Sequence, residues 1–134
     1  MRYALAGTLA ISAFLFGCQA TPPTPAPGVP TSLDPHQTDL VQNAVSAHLG
    51  GSSEVSFEGI AAAKNEYGLI SVCGYVITTA GSSMGTSPSV FSGLFQGTGA
   101  EQRFVVSALS GTVDETISTE AECRKSGVIL SRLQ

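Results

Sequence analysis

Leu69-Ile70-Ser71-Val72-Cys73-Gly74-Tyr75-Val76-Ile77-Thr78-Thr79 is the stretch on which the fold turns. Its β-branched and aromatic residues favour extended backbone, and it lacks the three-and-four spacing of an amphipathic helix. It is apolar at both odd and even positions, which predicts a central strand, and Gly74 within it marks a close approach or a bulge. Working outward, Asn65-Glu66-Tyr67-Gly68 reads as a turn, and the alternation of Val55 and Phe57 opens a strand that runs to about Ala63. Downstream, Ala80–Ser87 is a Gly/Ser loop followed by Pro88. Val90–Gln96 and Glu101–Leu109 read as two more strands, joined by a hairpin turn at Gly97-Thr98-Gly99. Consecutive strands with short links predict an antiparallel meander.

A helix is expected on each side of the strands. Asp34 suits the N-cap, Pro35 the first helical position and Gln37 the third position of a capping box. Leu40, Val41, Ala44, Val45, His48 and Leu49 then fall on one face, and Gly50-Gly51 ends the helix. Ser110–Asp114 reads as a second turn region before a C-terminal helix. Thr119 and Glu122 have capping-box spacing there, with Gly127 near the end. The expected class is α+β: a four-stranded, mainly antiparallel sheet with an N-terminal and a C-terminal helix on one face.

The N-terminal residues carry a second message. Tyr3–Phe16 holds no charge, and its fourteen residues would span roughly 21 Å as a helix, short of the ~30 Å hydrocarbon core. The segment therefore reads as a cleavable signal. Leu15-Phe16-Gly17-Cys18 closes it and resembles the lipobox of bacterial lipoproteins, with Phe16 bulkier than is usual. The resemblance implies cleavage before Cys18, lipid on that cysteine, and, through Gln19, the outer membrane facing the periplasm. Ala20–Pro30 holds five of the seven prolines. A polyproline-II tether over Gln19–Thr31 would reach roughly 40 Å. The expected organisation is a signal peptide at 1–17, a lipidated cysteine and Pro/Thr-rich tether at 18–32, and one small domain at 33–134.

With Cys18 lipidated, Cys73 and Cys123 remain of the three cysteines. An even pair in an oxidising compartment reads as a disulfide. Free buried thiols are the alternative; redox chemistry is disfavoured because no CxxC occurs. Loss of Arg2 with the signal takes the net charge from −4 to −5. With no run of Lys or Arg, the sequence excludes nucleic-acid binding and offers no polybasic lipid-binding patch.

No catalytic set emerges. Gly81-Ser82-Ser83-Met84-Gly85 matches G-x-S-x-G, but a nucleophile elbow needs a following helix and a later histidine. Here Pro88 and a strand follow, and no histidine lies beyond His48. His36 and His48 are too far apart on one helix for a metal pair, and His48 is expected to be partly buried. Glu54, Glu58 and Glu66 are separated by turn residues. Asp114-Glu115 and Glu120–Glu122 are placed before or in the first turn of the last helix, where they complement its dipole. Neither a cofactor nor an enzymatic activity is expected.

Ser53–Phe95 also resembles small uncharacterised bacterial lipoproteins and exported proteins. The matching residues are Val55-Ser56-Phe57, Lys64, Val72-Cys73-Gly74-Tyr75-Val76 and Phe91-Ser92-Gly93-Leu94-Phe95, with Cys123 and Gly127 beyond. Ile77-Thr78-Thr79-Ala80 departs from the Asn-rich segment common in them, and no activity comes with the resemblance. The expected role is a membrane-anchored lipoprotein of the cell envelope that binds or scaffolds an envelope component, without enzymatic chemistry. Its contact surface would be the loop Gly81, Ser82, Ser83, Met84, Gly85, Thr86 and Ser87. The alternative is a periplasmic inhibitor of a secreted enzyme such as a lysozyme or protease, because an acidic domain is steered toward a basic enzyme.

Overall fold

The computed structural model describes residues 21–51, 54–78 and 88–131. The chain forms strand β1 (Val29–Thr31), helix α1 (Pro35–His48), strands β2 (Val55–Lys64), β3 (Ile70–Thr78), β4 (Ser89–Gln96) and β5 (Arg103–Leu109), and helix α2 (Val113–Lys125). The strands make one antiparallel sheet in the order β1-β2-β3-β4-β5, with β3 at its centre. The α+β class and the central strand are as expected. The strand count is five, not four, because Val29–Thr31, which reads in the sequence as the end of the tether, pairs with Lys64, Ala63 and Ala62 of β2. Pro30 is tolerated there because an edge strand has one side free of ladder hydrogen bonds.

The helices lie on opposite faces, which corrects the expectation of one shared face. Side chains alternate across a strand, so a central strand that is apolar at odd and even positions needs cover on both sides. Val72 and Val76 pack with Ala62, Phe91, Phe95 and Phe104 against Val41 and Val45 of α1. Cys73, between them in the pleat, faces the other way and joins Ala63, Cys123 and Val128. The Cys73–Cys123 disulfide bolts α2 to that second face, with the Cα atoms 6.2 Å apart.

Two bulges keep the apolar residues on the right side. In β2 the register with β3 shifts between Glu58 and Ala61, so Phe57 and Ala62 both reach the α1 face although one is odd and the other even. Gly59 takes up the bend with φ +60°. In β5 a second shift, opposite Ser92 and Gly93, puts Phe104, Val106 and Leu109 against the same core.

Helix α1 begins as its sequence indicates. The Asp34 carboxylate accepts from the Gln37 backbone N–H at 2.7 Å, and the Asp34 N–H donates to the Gln37 side chain at 3.1 Å. Helix α2 starts earlier than expected. Its N-cap is Thr112 and its box partner Glu115; Thr119 and Glu122, with the same spacing, lie inside the helix. The β4–β5 link is also longer than a tight hairpin, because Gly99–Glu101 forms a 3-10 turn.

The Thr112 cap has a pH signature. The Gly111 and Thr112 N–H groups donate to Glu115 Oε2 at 2.6 and 3.0 Å. These backbone bonds, Gly111's first, hold the carboxyl below its ordinary value. A folded-state value below the unfolded one means a contribution that is full above the unfolded value and is lost as pH falls through the lowered one. Glu115→Gln is therefore expected to lower the melting temperature at neutral pH. The gap to wild type should close progressively in acid, as read from melts at a series of pH values.

Candidate functional site

Of the residues singled out in the sequence, Cys18, Ser83 and the whole loop Gly81, Ser82, Ser83, Met84, Gly85, Thr86 and Ser87 lie outside the described residues. Cys73 and Cys123 are bonded and buried. His36 is exposed in the first turn of α1. His48 is exposed in the last turn, not partly buried, because the buried stripe of the helix is carried by Val41 and Val45. Twelve residues of helix separate the two rings by about 18 Å. Among the described residues no group of three or more His, Cys, Asp or Glu could hold a metal ion. Glu54 precedes β2 and Glu66 follows it, so the ten-residue strand keeps them roughly 30 Å apart.

One carboxylate has a place that the sequence does not suggest. Glu120, assigned to the first turn of α2 by the Thr119–Glu122 spacing, instead lies mid-helix and is only 8% exposed. The Tyr75 hydroxyl donates to its Oε1 at 3.1 Å. The pair spans the interface between α2 and β3, close to the disulfide. The small cavity beside it, about 80 Å³ and lined by Tyr75, Glu120, Arg124, Ile129 and Leu130, is far below the size of a substrate pocket. Residue identity alone could not reveal the pairing, since it depends on α2 crossing the second face.

The larger concavity lies at one end of the sheet. There the β2–β3 turn and the β4–β5 link stand side by side, because Lys64 pairs with Ile70 and Gln96 with Arg103. An open groove of about 520 Å³ runs between them, lined by Lys64, Tyr67, Leu69, Ile70, Phe95 and Gln102 among others. The turn is set by Asn65, whose side-chain oxygen accepts from the N–H groups of Tyr67 and Leu69 at 3.0 and 2.9 Å. That arrangement pushes Tyr67 outward, 74% exposed, with Leu69 beside it. Among the described residues no histidine, cysteine or serine lines this groove; its polar lining is Lys64, Tyr67, Gln96, Thr98 and Gln102.

The proline-rich segment that precedes β1 enters at this same end. Val29 pairs with Lys64, and the Gly28 N–H donates to the Ser126 carbonyl at 3.0 Å just beyond the end of α2. The contact leaves no room for a side chain on Gly127: a Cβ there would collide with the Gly28 backbone, and its φ of +85° suits glycine. The chain between 21 and 27 is exposed. Comparison with protein-family models, with curated proteins and with solved structures finds no match to this chain.

Proposed function

We propose that this chain is a lipid-anchored lipoprotein of the bacterial envelope, attached through Cys18, whose disulfide-bonded domain binds or scaffolds an envelope component without enzymatic chemistry. The observation that carries the reading is the buried Cys73–Cys123 disulfide in the centre of the domain. Such a bond forms and persists in oxidising compartments and is rare where thiols are kept reduced. It agrees with the lipobox-like Leu15-Phe16-Gly17-Cys18 and with the proline-rich residues that follow. The described surface offers an open groove between two exposed links, which suits contact with a partner.

The test is an intact mass of the protein from a bacterial membrane fraction, before and after reduction. The expected result is a chain beginning at Cys18, heavier by acyl groups, that gains two hydrogens on reduction. An uncleaved or unacylated chain in the soluble fraction would overturn the anchor. An unchanged mass on reduction would overturn the oxidising compartment.

A further inference from the structure

We infer that the tether end of the domain is a docking face for the bilayer to which the chain is anchored, seating its basic side chains among anionic lipid headgroups and the Tyr67–Leu69 turn at the interface. The inference rests on the lipid-anchor reading above and deepens it by naming what that end of the domain touches.

The first support is charge. Lys and Arg are scattered along the sequence with no run. Yet all four in the described residues stand at one end of the fold: Lys64 closes β2, Arg103 opens β5, and Arg124 and Lys125 close α2 beside Gly28. All four are exposed. The same end carries Glu66, Glu101 and Glu122, and the first turn of α1 brings Asp34, because Gln37 reaches Gln102 at 3.3 Å. Glu122 is engaged by Lys125 at 2.7 Å. The tether end is thus close to neutral. Glu54, at the start of β2, and Asp114 and Glu115, in the first turn of α2, stand at the opposite end. An acidic domain with this polarity turns its near-neutral end toward an anionic surface, because the excess negative charge lies at the other end.

The second support is apolar. Tyr67 and Leu69 project from the turn, and Val29, paired with Lys64, is 70% exposed at the same end. Tyrosine with its ring at headgroup depth is a common interfacial anchor. The third support is reach. From Cys18 to Gly28 the chain spans at most about 31 Å in polyproline-II form. A tether that short keeps the face at millimolar effective concentration next to the lipid, so a weak contact suffices.

The chain contains no tryptophan, so Tyr67→Trp introduces a single reporter. Val113→Trp gives a matching probe at the far end of α2, about 18 Å away along the helix. Each mature acylated protein, beginning at Cys18 and with its acyl mass verified, is reconstituted in phosphatidylethanolamine/phosphatidylglycerol vesicles containing bromine-labelled phosphatidylcholine. Docking predicts that the indole of the Tyr67→Trp protein shifts its emission to shorter wavelength and is quenched, while that of the Val113→Trp protein is not. It also predicts that high salt, or Lys64→Glu with Lys125→Glu, releases the quenching. An acylated Tyr67→Trp protein that stays unquenched would overturn docking and leave the anchor standing. Equal quenching of both reporters would overturn it, as would a shift seen in native membranes but not in pure lipid, which would assign the face to a protein. A protein that carries no acyl mass when made in a bacterial host would overturn both.

Discussion

Replacing Cys73 and Cys123 together by alanine is expected to lower the stability of the domain by about 4 kcal/mol, from the loop-closure entropy of a fifty-residue cross-link. For a domain of this size that loss corresponds to a fall in melting temperature of roughly 15–30 °C. The effect is large because the bond is the covalent tie between α2 and the central strand. Around the sulfurs, the contacts that share this interface include the Tyr75–Glu120 hydrogen bond and the packing of Val128. Reduction of the wild-type protein should reproduce the shift, measured by circular dichroism with and without reductant. A midpoint unmoved by both treatments would mean that α2 is held by packing alone.

Phe91→Ala is expected to cost about 3–5 kcal/mol, the range for removing a fully buried aromatic ring. Phe91 has no exposed surface, meets Phe57 and Phe104 edge to face at 6.1 and 6.5 Å, and lies over Gly74 on the neighbouring strand. A Cβ on Gly74 would stand 2.8 Å from that ring. The glycine and the phenylalanine are therefore one packing unit, with the ring filling the space of the missing side chain. Gly74→Ala should destabilise the native chain in urea titrations and cost clearly less in the Phe91→Ala background. Additive costs would show that the two sites are independent.

The local elements are legible because their signals are local. Asp34-Pro35 with Gln37 carries its own cap, and Leu69–Thr79 announces a central strand by being apolar at every second position twice over. That same double pattern calls for a layer on each face, which an arrangement with both helices on one face fails to supply. Other features are not written in any single segment. β1 exists only because β2 offers an edge to a proline-containing triplet that alone reads as tether. The bulges at Gly59 and opposite Gly93 are visible only once the strands are aligned. The Thr112 cap competes with an identical spacing seven residues later, and backbone context at Gly111 decides between them. The basic side chains at the end of the sheet beside Gly28 come from Lys64, Arg103, Arg124 and Lys125, whose separation in sequence conceals their grouping. Of the candidate site residues, the Cys73–Cys123 pair is readable from the cysteine count once Cys18 is set aside. The Tyr67–Leu69 segment reads only as a turn.

Under the proposed lipid anchor, copies of the protein would share one surface and meet often, and a straight bare strand edge would let neighbouring sheets join into ribbons. Here β5 is kinked by its extra residue. β2 is covered by β1 at one end and bent at Gly59 beyond it, with Glu58 beside the bend. Among the described residues neither margin of the sheet is a flat template for another strand, so such a domain would stay discrete when crowded in two dimensions.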